Sequence, residues 1–353
     1  MKLSFLALRL YVARGAMAFG SMLVALILLE AAARAFCAPI VLSYEWLLKD
    51  RRYIPDPDVI FTRSDIPQKF GETGKRIAVV GDSHSDCDVW DFPCYPGLLR
   101  QSLREAGNDV RIEDFAVSGR NADEEYRVLT TQVFPSKPDA IIWQLYVNDV
   151  RENLLFPLYT VSPQSHLVAL DAKNSWAYKR QRFYAAVPWA YALRSTMLFR
   201  SILRVFEKDL AMDIYGRDEK QKLNASIQRI ALQLHDINDK SERENIPVMF
   251  VLIPPQSLGL VGIGSELTDQ SVYNNEMYRS LDRVLSDFSG YIPMDGIGMS
   301  TEASHILGVA TTSGVSQDSY YLDREDISLV GDKHLNERGN QRVADSIRDR
   351  IHW

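Results

Sequence analysis

The chain has 353 residues, of which 46% are apolar and 24% charged, so a folded globular body is expected rather than a disordered, collagen-like or coiled-coil chain. Its net charge is −6, and the first 33 residues hold three basic residues and one acidic residue, which leaves 37 basic and 45 acidic residues in the rest. This balance argues against nucleic-acid binding. Three cysteines without paired spacing argue against a structural zinc site.

An uncharged apolar run, residues 15–29, lies near the N-terminus, and Arg14 and Arg34 bracket 19 residues that only Glu30 interrupts. At about 1.5 Å per helical residue this stretch spans roughly 28 Å, close to the hydrocarbon core of a bilayer. We therefore predict a cytoplasmic tail and a single transmembrane signal anchor over residues 1–37. The basic residues before the run predict a cytoplasmic N-terminus and an exported body, in the periplasm or outside the cell.

Two features of the N-terminal half leave alternatives open. Ala31-Ala32-Ala33 and Ala33-Arg34-Ala35 have small residues at the spacing of a signal-peptidase site, so a cleaved signal peptide is the alternative to an uncleaved anchor. In an exported body Cys87 and Cys94 could form a local disulfide, whereas two free or buried thiols fit the sequence equally well.

The body begins after a predicted linker, residues 38–74. From residue 75 short buried strands alternate with helices, the pattern of a parallel sheet covered on both faces. We predict one domain over residues 75–353 with a three-layer α/β/α sandwich, flavodoxin-like, and about five parallel strands. The predicted strands are residues 76–80, 110–117, 139–147, 247–253 and 291–294, and the predicted helices are residues 97–106, 122–134, 220–244, 274–287 and 336–351.

A helical insertion at about residues 154–244 separates the third and fourth predicted strands. Its middle, residues 176–208, interleaves aromatic and basic side chains. This pattern predicts a helical subdomain whose aromatic rings pack on the core. A lid, or a basic aromatic surface resting on an anionic membrane, is the alternative.

Three of the predicted strands end in residues suited to chemistry, and ligands of open α/β sheets bind beyond these carboxyl ends. The first runs into a Gly-Asp-Ser-His sequence, where glycine permits a sharp turn that would expose the hydroxyl of Ser83. The second is followed by Gly119, where a backbone N–H can approach a ligand closely, and the third by Asn148, an amide donor. His334 comes just before the last predicted helix.

In chain order these four segments resemble the Ser, Gly, Asn and His blocks of the SGNH hydrolase superfamily, also called GDSL-type esterases. The Gly-Asp-Ser-His sequence is similar to the version found in SGNH domains of surface-polysaccharide O-acetylation systems. The resemblance implies that Ser83 is the nucleophile and His334 its base, with no metal and no cofactor. It also implies an oxyanion hole formed by the N–H groups of Ser83 and Gly119 and by the side chain of Asn148.

The last block departs from the family pattern. The family has an aspartate three residues before the histidine, a position that Gly331 holds here. Asp332, two residues before His334, is therefore predicted to orient the imidazole, with Asp326 and Asp323 as reserves.

The resemblance implies a serine-dependent acyl-ester hydrolase that acts outside the cytoplasm through an acyl-enzyme at Ser83. Its expected partners are an acylated cell-envelope carbohydrate or a lipid as substrate, and the membrane through the N-terminal helix. Two alternatives stay open. An O-acyltransferase on surface polysaccharide would pass the acyl group to a sugar hydroxyl instead of water, and a non-catalytic polysaccharide-binding protein could use the same fold.

Asp82 and His84 also fit the first block of a calcineurin-like metallophosphoesterase, in which both side chains would bind a metal. The sequence contains neither the Gly-Asp-x-x-Asp nor the Gly-Asn-His segment that this family needs, so the esterase interpretation is preferred. In that interpretation Asp82 braces the turn around Ser83 by hydrogen bonds, and His84 has a structural role.

Overall fold

The computed structural model describes residues 5–36, 52–87, 93–187, 193, 196–201, 218–255, 269–294, 334–335 and 337–351. The chain divides into two compact units, residues 1–51 with 182–215 and residues 52–181 with 216–353. The strands are β1 (Tyr53–Asp56), β2 (Ile60–Arg63), β3 (Gln68–Phe70), β4 (Lys75–Val80), β5 (Val110–Asp114), β6 (Ala140–Leu145), β7 (Tyr159–Val161), β8 (Leu167–Ala169), β9 (Val248–Leu252) and β10 (Tyr291–Ile292). The helices are α1 (Phe5–Phe36), α2 (Tyr95–Glu105), α3 (Ala122–Val128), α4 (Val147–Leu155), α5 (Trp176–Ala186), α6 (Glu219–Glu244), α7 (Asp269–Leu285) and α8 (Glu337–Arg348).

The larger unit is built on a sheet with the strand order β10-β9-β6-β4-β5-β3. The strands from β10 to β5 are parallel, and β3 pairs antiparallel with β5 at the edge. Taken in chain order, the five parallel strands have the 2-1-3-4-5 arrangement of a flavodoxin-like doubly wound fold, whose switch point lies between β4 and β6. The predicted α/β fold with about five parallel strands is confirmed.

Helices flank the sheet in two groups. Helix α2 packs against α8 and β5, and α6 packs against α4, α7 and β9. Right-handed crossovers on opposite sides of a switch point place such groups on opposite faces of the sheet. Every residue of β6 and β9 is buried, because both strands are covered on both faces.

Three short strands, β1, β2 and β3, lie within residues 38–74, the predicted linker. Strand β1 pairs antiparallel with β2, and Val59, Ile60 and Phe61 are buried at the hairpin. This apolar run is only three residues long and follows two prolines, Pro55 and Pro57, so it carried no strand pattern. The hairpin and β3 therefore belong to the larger unit.

Within the predicted insertion, the larger unit contains a β7–β8 hairpin and a 3₁₀ turn at Ala172–Asn174 as well as helices. Helix α6 buries Leu223, Ile230, Leu234 and Ile237, and is the crossover helix between β6 and β9. Much of the aromatic and basic segment lies outside the described residues, so both interpretations of it stay predictions.

The smaller unit contains α1, whose segment Tyr11–Ala35 has a mean hydropathy of 2.0 and contains no buried residue. By length and composition this is, among the described residues, the one helix able to cross a membrane, and a signal sequence would have the same properties. Its carboxylate at Glu30 accepts hydrogen bonds from Arg34 (2.6 Å) and from the backbone N–H groups of Met197 (2.8 Å) and Leu198 (3.1 Å). These donors satisfy the acidic group that interrupts the apolar run.

We predict that Gly81→Ala lowers the free energy of unfolding by about 1–3 kcal/mol, because overfilling a packed site forces its neighbours to move. A Cβ at this position would lie 2.5 Å from Gln144 Oε1 and 2.7 Å from Ser85 Oγ. Denaturant unfolding of the full chain in detergent measures the change. The control is Gly97→Ala in α2, where the nearest atoms lie 3.7 Å away and stability should hold or rise. Equal stability of the two variants would contradict the prediction.

Candidate active site

Ser83 lies in a tight turn at the carboxyl end of β4. The N–H groups of Ser85 and Asp86 donate to the carbonyl of Asp82 at 3.2 and 3.0 Å, and the N–H of His84 donates to Asp82 Oδ1 at 2.9 Å. Asp82 therefore braces the turn by hydrogen bonds. Ser83 is half-buried while the residues on both sides of it are buried, so the turn presents the Ser83 side chain.

Gln144 on β6 holds this turn against the sheet. Its side-chain oxygen accepts hydrogen bonds from the Asp82 N–H (3.3 Å) and the Ser85 hydroxyl (2.8 Å), and Gln144 has no exposed surface. Ser85 Oγ also lies 2.8 Å from the hydroxyl of Tyr95. Sequence reasoning missed Gln144, although a single polar residue inside an apolar strand was an available signal.

His334, which lies near the C-terminal end of the sequence, contacts the turn around Ser83. Its Nε2 atom lies 2.6 Å from Ser83 Oγ. Asn340 on α8 holds the histidine segment, because its Nδ2 donates to the Leu335 carbonyl (3.2 Å) and its Oδ1 accepts from the Tyr95 N–H at the start of α2 (3.0 Å). The packing of α8 on α2 thus places His334 beside Ser83.

The two imidazoles of the site lie together, with ring centroids of His84 and His334 4.8 Å apart. Burial lowers the pKa of His84 to about 3, and its ring lies 4.4 Å from that of Tyr146. Burial also lowers the pKa of His334; the charge of His84 adds to this effect, and the charge of Asp82 opposes it. A neutral imidazole can accept a proton at a ring nitrogen.

Three buried carboxyl groups lie near the turn, those of Asp82, Glu125 and Asp149. Burial raises the pKa of each of them. The N–H of His84 and the charge of His334 oppose this rise for Asp82, and the Trp143 Nε1–H, 2.8 Å from Glu125 Oε2, opposes it for Glu125. These carboxyl groups therefore lie in surroundings of low dielectric constant, which disfavour their charged form.

Gly119 lies at the same end of the sheet as Ser83. The chain beyond β5 stays beside β4, because the N–H of Phe115 donates to the Val79 carbonyl (2.7 Å) and that of Val117 to the Gly81 carbonyl (3.2 Å). Gly119 has a φ of 75°, a conformation that side chains disfavour, which explains the glycine at this position.

Asn148 lies in the first turn of α4, directly after β6, and is buried. The Asp149 carboxyl caps this helix start by accepting from the Tyr146 N–H at 2.8 Å. The amide of Asn148 lies beside Asp82, and its hydrogen bond opposes the rise in the pKa of that carboxyl group. The structure thus brings Ser83, Gly119, Asn148 and His334 to one end of the sheet, around the switch point.

The structure describes two cysteines but not the aspartates predicted to orient His334. Cys87 and Cys94 form a disulfide, which joins the end of the turn around Ser83 to the start of α2. Asp332, predicted to orient His334, and the reserves Asp326 and Asp323 lie outside the described residues. Within the described ranges, no group of three or more His, Cys, Asp or Glu side chains is arranged to hold a metal ion.

No protein-family model and no curated protein matches the chain. Among solved structures it is similar to the acetyl xylan esterase AlAXEase, with 14% identity and a TM-score of 0.42 over 78% of this chain and 100% of that one. It is also similar to the acetylxylan esterase Axe2 from Geobacillus stearothermophilus (11% identity, TM-score 0.41, 81% of this chain and 98% of that one). A third similar structure is the psychrotrophic esterase EstA from Pseudoalteromonas sp. (12% identity, TM-score 0.37, 78% of this chain and 95% of that one).

The lowered pKa of His334 predicts the pH dependence of any reaction that uses it as a base. The histidine acts only when neutral, so activity is lost as pH falls through its pKa, and the acid limb of kcat/KM should have its midpoint below 6.5, the ordinary value. A pH–rate profile of ester hydrolysis measures this. A midpoint above 6.5 in the unaltered chain would contradict the prediction.

Proposed function

We propose that the chain is a serine-dependent acyl-ester hydrolase that forms an acyl-enzyme at Ser83 with His334 as the base. The observation that carries the proposal is the 2.6 Å contact between Ser83 Oγ and His334 Nε2. A serine hydroxyl is a weak nucleophile until a base is positioned to take its proton, and this distance allows direct transfer. Burial also lowers the pKa of His334, so the imidazole is neutral at pH 7 and can accept this proton.

In the first half of the reaction, Ser83 Oγ attacks the carbonyl carbon of the ester while His334 Nε2 takes the hydroxyl proton. The tetrahedral intermediate then collapses, the bond to the alcohol oxygen breaks, and the protonated His334 returns its proton to that oxygen. The acyl group remains on Ser83 as an ester. Asp332, with Asp326 and Asp323 as reserves, is proposed to orient the imidazole through its second nitrogen.

The negative oxygen of the intermediate needs donors that are in place before it forms. We assign this role to the N–H groups of Ser83 and Gly119 and to the side-chain amide of Asn148. Their positions after β4, after β5 and after β6 support the assignment, because the carboxyl ends of neighbouring parallel strands meet at one edge. Such donors act strongly in a buried, low-dielectric site, where one of them is typically worth about 3–4 kcal/mol of the barrier.

In the second half, water attacks the acyl-enzyme and His334 again acts as the base. A sugar hydroxyl in place of water would make the same protein an O-acyltransferase. Both outcomes share the acyl-enzyme, so they differ only in the acceptor that reaches Ser83.

The proposed substrate is an acylated carbohydrate of the cell envelope. An N-terminal helix that could anchor the chain at a membrane, with basic residues ahead of its apolar run, supports an exported body facing envelope glycans and lipids. The similarity of the Gly-Asp-Ser-His sequence to surface-polysaccharide O-acetylation domains favours carbohydrate over lipid. The disulfide between Cys87 and Cys94 suits an oxidising compartment outside the cytoplasm.

We predict that Ser83→Ala and His334→Ala each lower kcat for p-nitrophenyl acetate by at least about 10⁴-fold, and that Asn148→Ala lowers it by about 10²–10³-fold. Steady-state hydrolysis by the full chain in detergent measures these effects. His166→Ala, at an exposed histidine in the β7–β8 turn, is the matched control and should keep full activity. Hydrolysis that survives loss of both Ser83 and His334 would overturn the mechanism.

The substrate proposal predicts a higher kcat/KM for acetylated oligosaccharides than for long-chain lipid esters. Release of acetate and of fatty acid, each measured against the Ser83→Ala background, decides between them. Faster cleavage of the lipid esters would contradict the carbohydrate assignment. If an added sugar acceptor gains the acetyl group faster than water does, the chain is an acyltransferase with the same nucleophile.

A further inference from the structure

A buried polar chain joins the nucleophile turn to the loop that contains Gly119. Arg63 Nη1 donates to Asp86 Oδ1 at 2.6 Å, and neither side chain has any exposed surface. The other oxygen, Asp86 Oδ2, accepts both the backbone N–H and the hydroxyl of Ser118, each at 2.9 Å. One carboxylate therefore links its own turn to two segments that are far apart in the sequence.

The two ends of this chain are the positions that the proposed reaction uses. Asp86 closes the turn around Ser83, since its own N–H donates to the Asp82 carbonyl at 3.0 Å. Ser118 immediately precedes Gly119, which has a φ of 75°. Because Ser118 is bonded directly to Gly119, holding its N–H and its hydroxyl constrains where the Gly119 N–H lies relative to Ser83.

We infer that Asp86 is a positioning residue that aligns the Gly119 donor with the nucleophile, and that Arg63 holds the Asp86 carboxylate in place. This inference rests on the proposed function, because it assigns Asp86 a task in the same reaction. Asp86 does not contact the substrate; it acts through Ser118 and Gly119.

Arg63 has this role because a buried carboxylate needs a compensating charge. The same guanidinium is held from its other side by Asp65, through Nε at 2.9 Å and Nη2 at 2.5 Å, so its position is fixed by a second ion pair. The hydroxyl of Tyr53 adds a longer contact to Asp86 Oδ2 at 3.4 Å. The β1–β2 hairpin is thus part of the framework of the site, although it lies outside the segments that resemble the hydrolase family.

The test is Asp86→Asn in the full chain in detergent, with p-nitrophenyl acetate as substrate. The amide keeps the size of the side chain but removes its charge and one of its two acceptor oxygens. We expect kcat to fall by about 10- to 100-fold with KM changed by less than about twofold, because an interaction made only in the transition state is lost. Adding Ser118→Ala should lower kcat little further, since both changes act on one peptide.

Asp123→Asn is the matched control, because it breaks another buried ion pair, with Arg229 at 2.9 Å, that does not join these loops. It should lower Tm while kcat per folded molecule stays unchanged. If Asp86→Asn behaves in the same way, the positioning role is wrong and Asp86 is merely structural.

A second variant covers the case in which Asp86→Asn does not fold. Ser118→Ala removes one hydroxyl and leaves the backbone N–H, and it should lower kcat by about 2- to 10-fold, the worth of one hydrogen bond. An unchanged kcat would overturn the inference. If the proposed function is wrong, the unaltered chain hydrolyses no ester at Ser83. That result would overturn both proposals, and it is recognised separately from the results for the variants.

Discussion

The site depends on one hydrogen bond, between Ser83 Oγ and His334 Nε2, which joins residues 251 positions apart. No local segment can create this contact. It requires the strand order that brings the ends of β4, β5 and β6 together, and it requires α8 to pack on α2 so that the histidine reaches the serine. The parallel sheet is therefore the part of the fold on which the proposed chemistry rests.

Buried polar side chains convert this topology into a defined geometry. Gln144 holds the turn around Ser83 against β6, and Asp86 links this turn to the loop before Gly119. Asn340 holds the segment that contains His334 to the start of α2. Each of these groups is buried and makes hydrogen bonds or an ion pair that would be lost in a displaced arrangement. The same desolvation keeps His334 in its basic, neutral form.

The sheet and the site residues that follow its strands could be predicted from the sequence, because apolar strands and the residues at their ends are local patterns. Ser83, Gly119 and Asn148 could be proposed in this way, and His334 from its place before the last helix. Arg63 and Gln144 could not be assigned their roles, since each acts through a hydrogen bond to a residue distant in the sequence. The β1–β2 hairpin was missed because its apolar run is short and lies next to prolines.

The acyl-enzyme is the central claim, and rapid-quench mass spectrometry tests it most directly. The full chain is mixed with p-nitrophenyl acetate, quenched in acid, digested, and its peptides are weighed. The account predicts one added acetyl group on the peptide that contains Ser83, and on no other peptide, with none in the Ser83→Ala variant. Ester cleavage without any acetylated Ser83 peptide, or with the acetyl group on another residue, would contradict it.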